Sequence, residues 1–77
     1  MAIIKPGGHY IVPTKGEEIS TFILENEGDE LARCELNLNG NIQETLDILP
    51  HSTQTKMMDV RGKLTLCNIG KTHIKIL

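Results

Sequence analysis

Few side chains in this chain are able to do chemistry, and their spacing limits what that chemistry could be. Cys34 and Cys67 are the two cysteines, and a disulfide between them needs Cα atoms within about 7 Å and converging Cβ vectors. His9, His51 and His73 are the three histidines, and none has the Cys-x-x-Cys or His-x₃-His spacing of a zinc site. Ser20 and Ser52 lack a Gly-x-Ser-x-Gly elbow and a local base. Glu25, Glu27, Asp29 and Glu30 crowd one turn, but without the Asp-x-Asp-x-Asp-Gly loop of a calcium site they read as a solvated tip. Pro6-Gly7-Gly8 is followed by no helix N-terminus that would complete a phosphate cradle. The expectation is a non-enzymatic chain with no catalytic residue, no metal site and no cofactor.

The elements that position these residues are read from alternation and punctuation. Gly and Pro clusters divide the chain into seven β segments, over residues 9–12, 19–25, 31–38, 42–49, 53–58, 63–67 and 72–77. In the third, Ala32, Cys34, Leu36 and Leu38 point one way and Arg33, Glu35 and Asn37 the other. In the fourth, Ile42, Glu44, Leu46 and Ile48 share a face. Asn39-Gly40-Asn41 is a strong turn signal. Short strands at intervals of about 8–12 residues, with no helical crossover, imply an all-β fold with antiparallel pairing. A small β-sandwich is the leading architecture and a small barrel the alternative.

One pattern is used twice. Phe22-Ile23-Leu24-Glu25-Asn26-Glu27-Gly28 is echoed 42 residues later by Leu64-Thr65-Leu66-Cys67-Asn68-Ile69-Gly70. Asn and Gly tolerate positive φ, so both copies read as tight hairpins. Laying one on the other matches Phe22 with Leu64, Leu24 with Leu66, Ala32 with Ile74 and Cys34 with Ile76 as inward positions. Arg33 and Lys75 match on the outside. Cys34 then faces the core and Cys67 does not, which argues against a disulfide.

The Asn-Glu-Gly-Asp turn at 26–29, the Cys34-Glu35-Leu36-Asn37-Leu38 strand, the Leu49-Pro50-His51-Ser52 corner and the closing stretch from Gly62 to Gly70 resemble immunoglobulin-like accessory domains of bacteria and their viruses. The resemblance covers about residues 19–77. The chain departs from that pattern in lacking a core Trp or Tyr and is about one strand short. The resemblance implies an immunoglobulin-like sandwich acting in adhesion, assembly or binding.

With 77 residues, no Trp, one Phe and one Tyr, a single core of this size supplies only about 3–5 kcal/mol, and such domains lean on partners. Residues 1–8 read as an N-terminal arm and 9–77 as one β-sandwich domain. The apolar residues left outside the core are Ile3, Ile4, Ile23, Cys67, Ile69, Leu77 and one of the adjacent pair Met57 and Met58, which marks them as a candidate homo-oligomer or partner interface. A net charge of −2 without a basic stripe or aromatic platform disfavours nucleic acid. No apolar run approaches the roughly 20 residues that would cross a bilayer. The apolar run in residues 1–6 is too short for a signal peptide, so a location in the cytoplasm or within a virion is expected. The function expected is a structural or protein-interaction module, such as a component of a phage or bacterial assembly. The alternative is a small-ligand protein, for a sugar or nucleotide, with a subunit-interface pocket lined by His9, Tyr10, Arg33 and Arg61.

Overall fold

Asn39 and Gly40 both have positive φ, 53° and 87°, the combination that a two-residue type I′ hairpin requires. This turn folds the entire chain back on itself. The computed structural model describes residues 2–13 and 18–77, with strands β1 (Ala2–Ile4), β2 (His9–Ile11), β3 (Glu18–Asn26), β4 (Ala32–Leu38), β5 (Asn41–Ile48), β6 (Ser52–Val60), β7 (Leu64–Asn68) and β8 (Ile74–Ile76). Outward from the turn, β4 pairs with β5, β3 with β6, β2 with β7 and β1 with β8, all antiparallel. Within each arm, β1 to β4 and β5 to β8, successive strands alternate between two sheets, so the long hairpin is rolled rather than flat. The first sheet runs β1-β8-β3-β6 and the second β2-β7-β4-β5.

The molecule is thus all-β, a small sandwich of two four-stranded antiparallel sheets not closed into a barrel. Among the described residues there are eight strands where alternation suggested seven. The added strand is β1, so the expected arm lies along a sheet edge, paired to β8; Met1 is outside the described residues. The strand order is that of a jelly roll. In the immunoglobulin order the first two strands pair within one sheet, whereas here β1 and β2 lie in different sheets. Among the described residues no helix is long and apolar enough to cross a membrane.

The core is built from the residues that the doubled pattern aligns. Phe22, Leu24, Leu64, Leu66, Ala32, Cys34, Ile74 and Ile76 are all buried, joined by Ile4, Leu36, Leu46, Ile48 and Val60. The connections that follow the Asn-x-Gly motifs are not hairpins, however. β3 lies in the first sheet and β4 in the second, and β7 and β8 are likewise split. Each motif therefore arches from one sheet to the other, and neither Asn26, Gly28, Asn68 nor Gly70 has positive φ.

The buried Asn amides explain the arches. Asn26 Nδ2 donates to the Glu30 carbonyl at 2.7 Å and to the Ile48 carbonyl at 3.0 Å, and its Oδ1 accepts from Gly28 N at 2.9 Å. Asn68 repeats the set: Nδ2 to the Thr72 carbonyl at 2.8 Å and the Ile4 carbonyl at 2.9 Å, Oδ1 from Gly70 N at 3.1 Å. Each side chain closes its own arch and reaches a strand of the opposite sheet. The glycines are required by close approach. A Cβ on Gly28 would sit 2.1 Å from Thr72 Oγ1, and one on Gly70 2.9 Å from Arg33 N.

The equivalence extends beyond the arches. Lys5-Pro6-Gly7-Gly8 is a type II turn, with Gly7 at φ 81° and Gly8 N donating to the Lys5 carbonyl at 2.8 Å. Leu49-Pro50-His51-Ser52 occupies the corresponding place between β5 and β6, with His51 at φ 55°. The first four strands and the last four are related by a pseudo-twofold that exchanges the sheets, with β1 equivalent to β5 and β3 to β7.

One strand departs from simple alternation. Between Leu36 and Asn37 the β4–β5 register shifts, so Leu36 faces Glu44 while Asn37 faces Ile42. The bulge turns Ile42, expected inward, to the solvent side, where it is 62% exposed. β5 and β6 are the long edge strands, and Lys56, facing inward opposite Phe22, forms an ion pair with Glu44 across the open side of the sandwich. A bulge and an inward charge are devices that discourage edge-to-edge pairing.

Replacing Asn26 or Asn68 by Ala leaves two carbonyls and an arch N–H without their partner, and each change is expected to cost about 2–4 kcal/mol. The urea midpoint should fall with little change in slope. A loss below about 0.5 kcal/mol would show that water satisfies the arches equally well.

Candidate functional site

The outer face of the first sheet carries side chains that alternation leaves without a core position. Ile19, Thr21, Ile23 and Glu25 alternate with the buried residues of β3, and opposite them on β6 stand Asp59, Met57, Thr55 and Thr53. Met57 thus sits diagonally between Ile19 and Ile23, within side-chain reach on an antiparallel ladder. Leu77 N donates to the Ile23 carbonyl at 3.0 Å, which sets Leu77 beside Ile23. Ile3 of β1 pairs with Lys75, two residues before Leu77. An apolar stripe formed by Ile19, Met57, Ile23, Leu77 and Ile3 therefore crosses all four strands. Ile19, Met57 and Ile3 are each more than 60% exposed.

Of the expected interface residues, Ile3, Ile23, Met57 and Leu77 converge on this face. Ile4 does not. It is 2% exposed and belongs to the core, because Ile3, not Ile4, takes the outward phase of β1. Met58 also points inward and is half-buried against the core. Cys67 and Ile69 lie on the outer side of the second sheet, Cys67 beside His9 and Glu35 and Ile69 with its N–H bonded to the Arg33 carbonyl. Ile19 joins the stripe although it was not among the expected residues; its outward phase was available from the alternation of β3.

Within one chain the four residues of the expected subunit-interface pocket do not come together. His9 is exposed on the second sheet, and Tyr10 is half-buried against the core. Arg33 is engaged by Asp47, with Nε and Nη2 at 2.8 and 3.3 Å from its carboxylate oxygens. Arg61 pairs with Asp59 at 3.0 Å, at the other end of the sandwich from the arches. Among the described residues no group of three or more His, Cys, Asp or Glu is placed to hold a metal ion.

Two clefts flank the arches. One, of about 240 Å³, opens on the first-sheet side between Ile3, Glu25, Glu27, Thr72, His73 and Lys75, with Gly28 at its wall. Lys75 Nζ lies 3.2 Å from Glu27 Oε1. That ammonium holds the Glu27 carboxyl below the usual carboxylate range. The other, wider and shallower, lies on the second-sheet side between Glu30, Leu31, Arg33, Gly70 and Lys71. Neither sets a nucleophile beside a base and an oxyanion donor, the arrangement that hydrolytic or transfer chemistry needs.

No protein-family model matches the chain, and no solved structure matches it significantly. What this protein does must be read from the chemistry of its own surfaces.

The cysteines mark the two sides of the second sheet. Both are free, Cys34 buried and Cys67 half-buried, and burial pushes the Cys34 thiol from 9.0 to about 12. A thiol-specific reagent near pH 8 should modify Cys67 in the native protein and Cys34 only on unfolding. Because the folded state keeps the Cys34 proton and the unfolded chain releases it, this contribution to stability is complete below about pH 9 and declines as pH rises toward 12. The difference in melting temperature between wild type and Cys34→Ala should therefore narrow over that interval. A constant difference would place Cys34 in contact with solvent.

Proposed function

We propose that this protein is a non-enzymatic interaction module that self-associates through the outer face of its first sheet, as a component of a larger assembly. The observation that carries the reading is the stripe from Ile19 to Ile3, formed by residues that a monomer has no reason to gather on one face. Contiguous exposed apolar surface rimmed by polar groups is the usual mark of a protein contact. Here the rim is Thr53, Glu25 and Lys75 at one end and Asp59 beside Ile19 at the other.

Size supports the same reading. A standard interface buries about 800 Å² on each partner, about a sixth of this chain's 4819 Å² of accessible surface. The long edges are blunted by the bulge in β5 and the inward Lys56, which favours association by the sheet face over strand addition. Eight-stranded jelly rolls serve in capsids and lectins; that is an analogy of fold, and fold alone does not fix function. The dispersal of His9, Tyr10, Arg33 and Arg61 gives the ligand-binding alternative no comparable support.

At tens to hundreds of micromolar, light scattering behind a sizing column is expected to give a mass above that of the monomer. Met57→Lys should weaken the association by about tenfold or more, by placing a charge in a desolvated contact, while leaving the thermal transition within a few degrees of wild type. A wild-type protein that stays monomeric throughout that range would refute the proposal.

A further inference from the structure

The two clefts are the same place seen twice. The offset of 42 that relates the arches carries Glu30 to Thr72, Leu31 to His73, Arg33 to Lys75 and Gly28 to Gly70, and these residues line one cleft or the other. The pseudo-twofold therefore sets two related concave surfaces on opposite outer faces at one end of the sandwich. Their chemistry has diverged. Glu25 and Glu27, the acidic wall of the first cleft, correspond to Cys67 and Ile69 in the second half. The first cleft has two carboxylates against one ammonium. The second has Lys71 and Arg33, the latter already held by Asp47, beside the carboxylate of Glu30, with Leu31 and Ile69 exposed on the same side.

We propose that copies of this chain associate head to tail: the acidic cleft on the first-sheet side of one copy receives Lys71 and the adjoining Leu31–Ile69 surface of the next. The inference rests on the self-association proposed above and names the second surface involved. Lys71 takes part in none of the ion pairs among the described residues, and Glu25 in none with a cation. Lys71 is thereby left for an intermolecular partner of opposite sign. Ile3 at the acidic cleft continues into the apolar stripe, and Leu31 and Ile69 supply apolar surface on the opposing side. A contact between two different surfaces of one chain is heterologous: each copy joined through one cleft still presents the other, and the assembly grows into a ring or a filament. A self-complementary dimer of two first-sheet faces would leave Lys71 idle.

The test is a charge exchange read by light scattering and sedimentation at low ionic strength. Lys71→Glu and Glu27→Lys should each weaken self-association about tenfold or more, since like charges then face each other. Mixing the two variants in equal amounts should restore it, and so should the double variant in one chain. Lys71→Ala and Glu27→Gln form a milder pair with smaller losses, and thermal transitions confirm that all four fold. If Lys71→Glu associates as wild type does while Met57→Lys does not, the head-to-tail contact is wrong and self-association by the first-sheet face stands. If both charge variants are impaired and mixing restores nothing, the pairing of the two clefts is also wrong. A wild-type chain that never associates removes both proposals.

Discussion

The fold depends on how two sheets with a thin core are kept in register with each other, and the buried amides of Asn26 and Asn68 do this. Hydrogen bonds along the strands fix neighbours within a sheet and say nothing about the opposite sheet. Apolar contacts between the sheets are non-directional, and this core has few large side chains with which to specify a unique stacking. An Asn that donates both amide protons to carbonyls, one in its own arch and one in a strand of the other sheet, is directional in a way that Leu cannot be. Left unmade, such bonds would strand buried carbonyls at a cost of about 1–3 kcal/mol each. Among the described residues no buried side-chain polar atom lacks a partner, which is the condition under which a buried polar network specifies a structure.

This requirement also separates what alternation reveals from what it conceals. Inward phases in β3, β4, β7 and β8 were legible because apolar residues at every second position can be buried only on one side. The role of Asn-x-Gly was not. The dipeptide chemistry that makes a hairpin, a small polar residue followed by Gly, also makes an arch, and only the placement of the next strand distinguishes them. Asn39-Gly40 is the hairpin, with both residues at positive φ. Asn26 and Asn68 end their strands in ordinary backbone geometry and spend their side chains across the core, while Gly28 and Gly70 are small because Thr72 of the other arch and the start of β4, respectively, leave no room for a Cβ. A bulge hides in the same way: Ile42 fits a strict period of two and is turned outward by one extra residue.

The pseudo-twofold was only half legible for a related reason. The offset of 42 aligns β3 with β7 and β4 with β8, but β1 and β5 match at 44, through Ile4-Lys5-Pro6-Gly7 and Ile48-Leu49-Pro50-His51. A search at one fixed offset misses the second match. Pro at the second turn position followed by a residue at positive φ was the available signal, weakened by His51 standing where Gly would be expected. The surface was harder to read, since an outward phase says that Ile3, Ile4, Cys67 or Ile69 leaves the core only if the phase is right, and not which face it joins. The structure divides them between core and two opposite faces.

That division has a physical logic. Positions related by the pseudo-twofold are alike where they are buried: Leu24 and Leu66, Asn26 and Asn68, Ala32 and Ile74 meet the same packing and hydrogen-bonding demands, so their chemistry is held in common. Glu25 and Cys67, or Glu27 and Ile69, face outward, where a substitution seldom changes stability by more than about 0.5 kcal/mol, and there the halves differ in charge and polarity. Surface chemistry that departs from an internal symmetry is not dictated by folding. The contrast between a cleft walled by Glu25 and Glu27 on one face and one carrying Lys71 on the other is therefore set by something other than the packing that the two halves share.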